Sequence, residues 1–443
     1  PIDLWTVDIR RFGAFQANPN FLTDRTKETL GLHYAMGWPR REVESARPLR
    51  VSPLYERLKQ RRAVFGSKMG WERVNYFAKE DQPTKMSYSF SKPAWLPNVI
   101  EEHRACRESA ALFDQTSFSK FLVQGRDVEK ALQRICANDV AVEPGAVVYT
   151  AMLNERGGFE SDLTVTRLAA DQFMVVSPTA QTTRDFHWIK NHFADDEHVT
   201  ITDVTSSYAV LGLMGPKSRT ILQELSTADL SNDAFPFSTS QTIDVGLATV
   251  RAQRLTYVGE LGWELYISVE MALHVFDQLH KAGDKHGLRD AGYFAIESLR
   301  IEKGYRAWGP DLTADYSPLE AGLSFAVDLN KPDFIGRSAL MEQKAQGTLK
   351  RRMVLFRIDD SEAFPHGNEP IYMNGELAGY LSSATFTGTL GCGVGMGYVN
   401  STEKITKKAL EEANFEVEIA SRRYPVTASF SAFHDPKSTA IRA

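Results

Sequence analysis

The stretch YTAMLNERGGFESDLTV, residues 149–165, carries the clearest local pattern in this chain. Two runs of β-forming residues flank Gly157 and Gly158, which predicts an antiparallel hairpin. Asp162 falls at the start of the second strand, among apolar residues, where burying a carboxylate is costly unless a partner satisfies it. A ligand amine is one such partner, and apolar walls would raise the pKa of the carboxyl group. A structural aspartate beside the turn is the alternative that these residues alone leave open.

A second hairpin is predicted for LTYVGELGWELY, residues 255–266, where aromatic rings and carboxylates surround a tight glycine turn. Tyr257 and Trp263 offer flat faces for stacking, and Glu264 can accept two N–H bonds from a guanidine-like edge. A pocket for a pterin or purine fits this pattern. An ordinary aromatic hairpin fits it equally well.

Three zones of different composition lie around these hairpins. Residues 1–95 are rich in arginine, aromatic residues and proline, and their weak periodicity predicts irregular chain. Residues 96–347 alternate strands and helices, for example an amphipathic helix at 128–135 and a buried strand at 208–214. Residues 348–443 read as short strands separated by turns, which predicts a closing β-barrel. The order of elements indicates an α+β fold rather than a doubly wound sheet.

Several common catalytic signatures are absent from the sequence. It contains no P-loop, no His-Glu-x-x-His and no Gly-x-Ser-x-Gly motif. The glycines of GCGVGMG, residues 391–397, fall at every second position, which is strand spacing and not a dinucleotide-binding turn. The ten histidines do not cluster with carboxylates, so we predict no metal site. No flavin or nicotinamide site is expected in this chain.

Bulk composition excludes several partner classes. The 51 basic and 56 acidic residues give a net charge of -5, which does not favour nucleic acid or an anionic membrane as a partner. The three cysteines are far apart in sequence and predict no disulfide framework. No apolar run reaches the roughly 20 residues that cross a bilayer. We expect a soluble intracellular protein or, because the chain begins at Pro1, a part cut from a longer one.

Both hairpins resemble the glycine-cleavage T-protein (aminomethyltransferase) family. Residues 149–165 are similar to its catalytic hairpin, and the pattern from Tyr257 to Glu264 is similar to its pterin-recognition segment. The resemblance runs from about residue 96 to the C-terminus. Further matching segments are FDQTSF (113–118), GPK (215–217), LRIE (299–302), SPLEAG (317–322) and DFIGR (333–337). The resemblance implies a T-protein-like, multi-domain, folate-binding α+β fold with a C-terminal β-barrel.

Within that family the chain resembles the flavin-dependent branch, the dimethylglycine and sarcosine dehydrogenases. The segment LRIEKGYRAWG, residues 299–309, is similar to theirs. Residues 5–12, 52–55 and 70–73 resemble the junction that follows their flavin domain. The resemblance therefore implies three parts: a leader (1–95), an aminomethyltransferase-like domain (96–347) and the barrel (348–443). It also implies FAD only on a preceding oxidase domain or subunit that this chain lacks.

The resemblance assigns roles to particular residues. Asp162 is the expected catalytic residue, next to the amine of a bound tetrahydrofolate. This cofactor would trap the iminium of an oxidised N-methyl amino acid, or the equivalent formaldehyde, as 5,10-methylenetetrahydrofolate. Glu264 would bind the pterin edge and Tyr257 would line the ring. The expected cofactor-binding residues are Glu264, Tyr257, Tyr149, Asn154 and Trp308.

Two positions depart from the T-protein pattern. Ile296 stands where the T-protein has arginine, which puts a lipoyl-bound substrate in doubt, and Thr166 stands where it has tyrosine. A stand-alone T-protein is one alternative, which Ile296 and the leader disfavour. A non-catalytic regulator similar to the regulatory subunit of pyruvate dehydrogenase phosphatase is another, on the resemblance of MLNE (152–155) and DAGYF (290–294). The expected location is the cytoplasm for a bacterial protein and the mitochondrial matrix for a eukaryotic one.

Overall fold

A computed structural model describes residues 4–347 and 349–443. The helices are α1 (Pro19–Leu32), α2 (Tyr55–Gln60), α3 (Leu96–Glu108), α4 (Val128–Ile135), α5 (Thr182–Asn191), α6 (Ser218–Gln223), α7 (Ala272–Gly283), α8 (Tyr293–Glu302), α9 (Arg337–Gln346) and α10 (Lys407–Glu412). In the described part of the chain, none of the helices is long and apolar enough to span a membrane.

The strands form three larger sheets and one hairpin. They are β1 (Ala63–Lys68), β2 (Trp71–Phe77), β3 (Ala110–Asp114), β4 (Ser119–Gln124), β5 (Val147–Leu153), β6 (Phe159–Ala169), β7 (Gln172–Ser177), β8 (Thr200–Asp203), β9 (Tyr208–Met214), β10 (Ser240–Val245), β11 (Ala248–Gln253), β12 (Gly262–Ser268), β13 (Leu288–Asp290), β14 (Arg351–Ile358), β15 (Pro370–Met373), β16 (Glu376–Phe386), β17 (Gly393–Asn400), β18 (Phe415–Ile419) and β19 (Arg422–Ser429). Mixed helix and sheet in this arrangement confirm the predicted α+β class.

A six-stranded sheet has the order β10-β11-β12-β9-β3-β13. Its pairs are antiparallel except for β13 and β3, which run parallel. Alternate residues of β9 and β12, such as Leu211, Leu213 and Trp263, enter a large buried cluster with α6 and α7. Burying the apolar face in this way is the main stabilising contribution to such a sheet.

A five-stranded antiparallel sheet has the order β5-β6-β7-β4-β8. The hairpin predicted at 149–165 is its β5–β6 pair. One face, which includes Leu163, Val165 and Phe173, packs against α4 and α5. The opposite face meets the six-stranded sheet through Met174, whose cluster includes residues of β9 and β12. The two sheets therefore each bury one face on helices and turn the other toward each other.

The C-terminal zone closes into a six-stranded barrel, β14-β17-β16-β15-β18-β19, as predicted. The alternating glycines of 391–397 lie at the start of β17, where a Cβ on Gly397 would collide with the carbonyl oxygen of Tyr380 on β16. Small residues are required there because the neighbouring backbone approaches closely. The alternating glycines at 393, 395 and 397 therefore belong to a strand, as their spacing predicted.

The N-terminal zone is more ordered than the expected irregular chain. The β1–β2 hairpin is antiparallel, and Leu54, Leu58 and Val74 enter the core of the six-stranded sheet. Strand β2 has buried residues on both of its faces, which hides the alternation that sequence reasoning looks for. Helix α1, in contrast, has no buried side chain.

Candidate active site

Asp162 lies on β6 opposite Ala151 of β5, with its carboxyl group next to a phenol. The hydroxyl of Tyr149 donates a hydrogen bond of 2.9 Å to Asp162 Oδ2. Among the residues that the structure describes, Asp162 Oδ1 has no hydrogen-bond partner. Burial raises the pKa of Asp162 from 3.8 to about 6, and the Tyr149 bond only partly opposes that rise. The carboxyl group is thus poised to gain or lose a proton near neutral pH.

Glu264 lies on β12 of the facing sheet and has a similar environment. It accepts one hydrogen bond of 2.8 Å from the hydroxyl of Tyr266, and burial raises its pKa. Its register partner is Gln253 on β11. Both residues keep some exposed surface although burial dominates the pKa values of their carboxyl groups, as in residues that line an internal space.

Strand register places Asp162 and Glu264 on the faces that the two sheets turn toward each other. Side chains two apart on a strand share a face, and so do register partners on neighbouring strands. Asp162 and Thr166 therefore share one face of β6, and Glu264 and Gln253 share one face of the other sheet. The side-chain amide of Gln253 donates a bond of 3.0 Å to the hydroxyl of Thr166, which joins the two faces.

The prediction of a hairpin at 255–266 is wrong, because residues 254–261 form a loop and β12 pairs with β11 and β9 instead. Tyr257 lies in this loop. Its hydroxyl donates a bond of 2.6 Å to the backbone oxygen of Arg306. Its ring stacks on that of Tyr305, with centroids 6.1 Å apart and planes at 16°. Burial raises the pKa of Tyr257, and the charge of Asp162 contributes to the rise. Tyr257 and Asp162 are therefore close enough to share one site.

The last two predicted site residues lie further from this centre. Asn154 sits at the hairpin turn, where its side-chain oxygen accepts bonds from the backbone N–H groups of Arg156 and Gly158. The Trp308 ring lies 5.7 Å from the guanidinium of Arg184, which in turn donates to Glu160 on β6. Asn154 thus shapes the turn, and Trp308 is linked to β6 through the ion pair of Arg184 and Glu160.

Sequence reasoning missed a carboxyl group behind Asp162. Asp185 of α5 accepts a bond of 2.7 Å from the Ser161 hydroxyl and another bond from the Ser177 hydroxyl. Burial raises the pKa of Asp185 to about 7, and the charge of Asp162 adds to that rise. Asp185 ties α5 to the two strands below the candidate site. Only its position on the apolar side of a helix could have drawn attention to it.

Three further charged residues lie near Tyr257. Arg300 pairs with Asp311 at 2.8 Å and with Glu297 at 2.6 Å. Glu297 keeps 41% of its side chain accessible. Burial alone would raise the pKa of Glu297, but the charge and hydrogen bond of Arg300, together with the charges of Arg40 and Arg73, lower it. Arg300 and Arg306 both lie in the segment 299–309, which sequence reasoning singled out without assigning either residue a role.

The arrangement fits a flat ligand that carries N–H groups. Asp162 Oδ1 and Gln253 Oε1 are buried acceptors without a partner in the described residues, and Glu264 has a single protein donor. Unsatisfied buried acceptors are costly, and a pterin with amino and amide N–H groups would satisfy them. The described residues contain no group of His, Cys, Asp and Glu side chains that could hold a metal ion.

Three family models match the chain. The GCVT N-terminal domain matches residues 54–331, and the glycine cleavage T-protein C-terminal barrel domain matches residues 351–435. The central domain of FAD dependent oxidoreductases matches residues 1–52. The first model alone covers more than half of the chain.

Individual proteins agree with the family models. The mitochondrial regulatory subunit of pyruvate dehydrogenase phosphatase from Mus musculus is 37% identical over 97% of this chain and 52% of its own length. The formaldehyde-forming 4-methylaminobutanoate oxidase of Paenarthrobacter nicotinovorans is 37% identical, and the mitochondrial sarcosine dehydrogenase of Homo sapiens is 35% identical, each over 99% of this chain and 52% of its own length. The chain spans about half the length of these relatives.

A solved structure shows the same fold. The glycine cleavage system aminomethyltransferase T from Bartonella henselae superposes with a TM-score of 0.72 at 25% identity, over 86% of this chain and 96% of that chain. The predicted resemblance is thereby confirmed. The chain belongs to the glycine-cleavage T-protein family and is related over nearly its whole length to parts of sarcosine and dimethylglycine dehydrogenases.

Proposed function

We propose that this chain binds tetrahydrofolate between its two facing sheets and loads it with the carbon removed from an N-methyl amine. The observation that carries the proposal is the Asp162 carboxyl group. It has a raised pKa and one oxygen with no protein partner, and it faces the same space as Glu264. A flavin-binding oxidase domain or subunit would supply the oxidised amine. The FAD would belong to that part.

In this proposal Asp162 moves protons. When bound, tetrahydrofolate supplies two amine nitrogens that take up one carbon. Transfer of the iminium carbon would form two C–N bonds to these nitrogens and break the C–N bond to the donor, whose nitrogen would keep the bonding electron pair. Asp162 would accept the proton that the first amine loses and return it to the departing donor nitrogen, and it would then pass the second N–H proton to solvent. A pKa of about 6 suits a group that must both accept and release a proton.

The other predicted residues hold the ligand. Glu264 would accept N–H bonds from the amino-pyrimidine edge, and Tyr257 would line the ring. Tyr149 orients the Asp162 carboxyl group through its hydroxyl. Asn154 would fix the shape of the hairpin turn. Trp308, whose ring lies against the Arg184 guanidinium, would form part of the pocket wall. Positioning the amine beside the arriving iminium would contribute several kcal/mol to catalysis.

Calorimetric titration of the chain with tetrahydrofolate tests the proposal directly. We expect one saturable site, because the unsatisfied acceptors at Asp162 and Gln253 and the Glu264 carboxylate converge on one space. The competing function is that of a regulator, which the similarity to the phosphatase regulatory subunit favours. A regulator needs no folate. Absence of any heat of binding to tetrahydrofolate would therefore overturn the proposal and leave the regulatory function.

A further inference from the structure

We infer that Arg306 binds a carboxylate of the carbon donor, so that the site selects N-methylated amino acids over simple amines and free formaldehyde. The inference rests on the proposed function and deepens it. It concerns a residue on the loop after α8, a short distance along the chain from the Arg300 ion pairs.

Arg306 is a cation with incomplete bonding. Its Nε donates a bond of 3.0 Å to the backbone oxygen of Ala321, and its Nη1 donates to that of Gly304. No carboxylate among residues 4–347 and 349–443 forms an ion pair with it. A guanidinium has five N–H donors, so three of them, including both on Nη2, have no described protein acceptor. Burial accordingly lowers the pKa of Arg306.

Lys331 shows what a satisfied buried cation looks like in the same protein. Its three ammonium hydrogens meet the backbone oxygens of Gln133, Cys136 and Asn138 at 2.8, 2.7 and 2.8 Å. All of its donors are used, and it needs no ligand. Arg306 uses two of five, and the others are available to an anion that arrives from outside the fold.

The guanidinium donors of Arg306 that lack a protein acceptor belong to a residue beside the candidate site. Its backbone oxygen accepts the Tyr257 hydroxyl, and its charge acts on the phenol of Tyr149, which bonds Asp162. The site therefore offers the Asp162 carboxylate for a cationic nitrogen, and the Arg306 guanidinium, whose charge acts on the same Tyr149 phenol, for an anion. An N-methylated amino acid carries both charges on one small molecule, so its charges complement those of the site.

The glutamate tail of the folate is the other possible source of a carboxylate. In tetrahydrofolate the glutamate lies at the opposite end of the molecule from the pterin. Arg306 lies next to Tyr149 and Tyr257, which the proposed function places around the reacting amine and the pterin ring. The donor's carboxylate is therefore the one within reach. The relatives named for sarcosine and 4-methylaminobutanoate act on compounds that carry such a group.

The test compares dimethylglycine with N,N-dimethylglycinamide, which keeps the amine but replaces the carboxylate by a neutral amide, by calorimetry on the chain saturated with tetrahydrofolate. We expect the wild type to bind dimethylglycine about 10- to 100-fold more tightly, the size of a charge-assisted bidentate contact. Arg306→Gln keeps a donor for Ala321 but removes the charge, and it should bind both compounds alike. The matched control is Arg352→Gln, because Arg352 also donates to a backbone oxygen, that of Ile405, but lies in the barrel. It should keep the wild-type preference.

Further measurements distinguish the donor carboxylate from the folate glutamate as the group that Arg306 binds. If Arg306→Gln keeps the wild-type preference, the inference is wrong. If it weakens binding of tetrahydrofolate but not of tetrahydropteroate, which lacks the glutamate, the guanidinium binds the folate tail and the donor assignment is overturned. Repeating the titrations without folate detects a carboxylate preference that survives even if the proposed folate site fails. If the variant does not fold, acetate should still compete with dimethylglycine, and not with the amide, on the wild type.

Discussion

Two buried carboxyl groups in this protein have opposite protonation behaviour. Asp162 has one phenol donor and a free oxygen, and burial raises its pKa to about 6. Glu302 is fully buried, yet its Oε1 receives Arg107 at 2.7 Å and the Thr389 hydroxyl at 2.9 Å. Despite the cost of burial, hydrogen bonds and charge from His103 and Arg107 lower its pKa to about 2.

The contrast distinguishes a carboxyl group that stabilises the fold, Glu302, from one that is available to a ligand, Asp162. The partners of Glu302 come from within the fold, and they join α3 and α8 to the loop after β16. Asp162 has no cation of the fold beside it, although each of the two carboxyl groups keeps one oxygen, Asp162 Oδ1 and Glu302 Oε2, without a hydrogen-bond partner among the described residues. A buried carboxyl group that no cation of the fold pairs with is the one that a cationic ligand would complete.

The largest effect that we expect is on one-carbon transfer in Asp162→Asn. The amide still accepts the Tyr149 hydroxyl but cannot hold a proton. Transfer should fall by about 10²- to 10⁴-fold, the usual contribution of a general acid–base group. In the enzyme joined to its oxidase part, amine oxidation should continue while the carbon appears as free formaldehyde instead of 5,10-methylenetetrahydrofolate. Undiminished methylenetetrahydrofolate formation would contradict the catalytic role.

Glu302→Gln should act on stability instead. Removing this charge leaves the Arg107 guanidinium, which is 7% exposed, with only Glu260 as an anionic partner. Breaking a buried ion pair on one side costs about 3–5 kcal/mol. Urea unfolding of the two variants measures the difference: Glu302→Gln should lose stability, whereas Asp162→Asn should keep it or gain. Equal losses of stability in both variants would show that Asp162 stabilises the fold as much as Glu302 does.

The two groups also predict opposite dependences of stability on pH. The pKa of Asp162 is raised in the folded state, so its contribution is fully present below pH 3.8 and is lost as pH rises through about 6. The pKa of Glu302 is lowered, so its contribution is present above pH 4.5 and is lost as pH falls through about 2. The stability of Asp162→Asn relative to wild type should therefore rise by about 2–3 kcal/mol between pH 4 and pH 7. A flat difference over that range would show that the Asp162 pKa is not raised.

Sequence patterns predicted what depends on local order. The hairpin at 149–165, the helix at 128–135 and the strand at 208–214 follow from turn residues and periodicity over a few residues, and the structure contains all three. The barrel followed from the same short-range signals. The leader hairpin escaped prediction because β2 is buried on both faces and shows no alternation.

What the sequence could not supply is which side chains meet across the fold. Arg107 and Glu302 are 195 positions apart, and Thr166 and Gln253 are 87 apart. No periodicity encodes such pairs. The site residues Asp162, Tyr257 and Glu264 were predicted from the family resemblance, and their assignment to one space needed the strand register. Arg306 was quoted in a matching segment, but its missing partners are visible only in three dimensions.

The smallest effect that we expect is on folate affinity in Glu264→Gln. The glutamine still accepts a bond from Tyr266 and from one N–H of a pterin, but it cannot accept two N–H bonds as an anion. The dissociation constant for tetrahydrofolate should rise about tenfold, which corresponds to the loss of one charge-assisted bond. The barrel offers a matched control in Glu418, which likewise accepts a tyrosine hydroxyl, that of Tyr372, at 3.2 Å. Glu418→Gln should leave folate affinity unchanged, because this tyrosine–glutamate pair lies at the surface of the barrel, where water can satisfy the remaining acceptor capacity of the carboxylate. If calorimetry finds the two variants indistinguishable, the Glu264 carboxylate is structural like that of Glu302, and the pterin edge must be bound elsewhere.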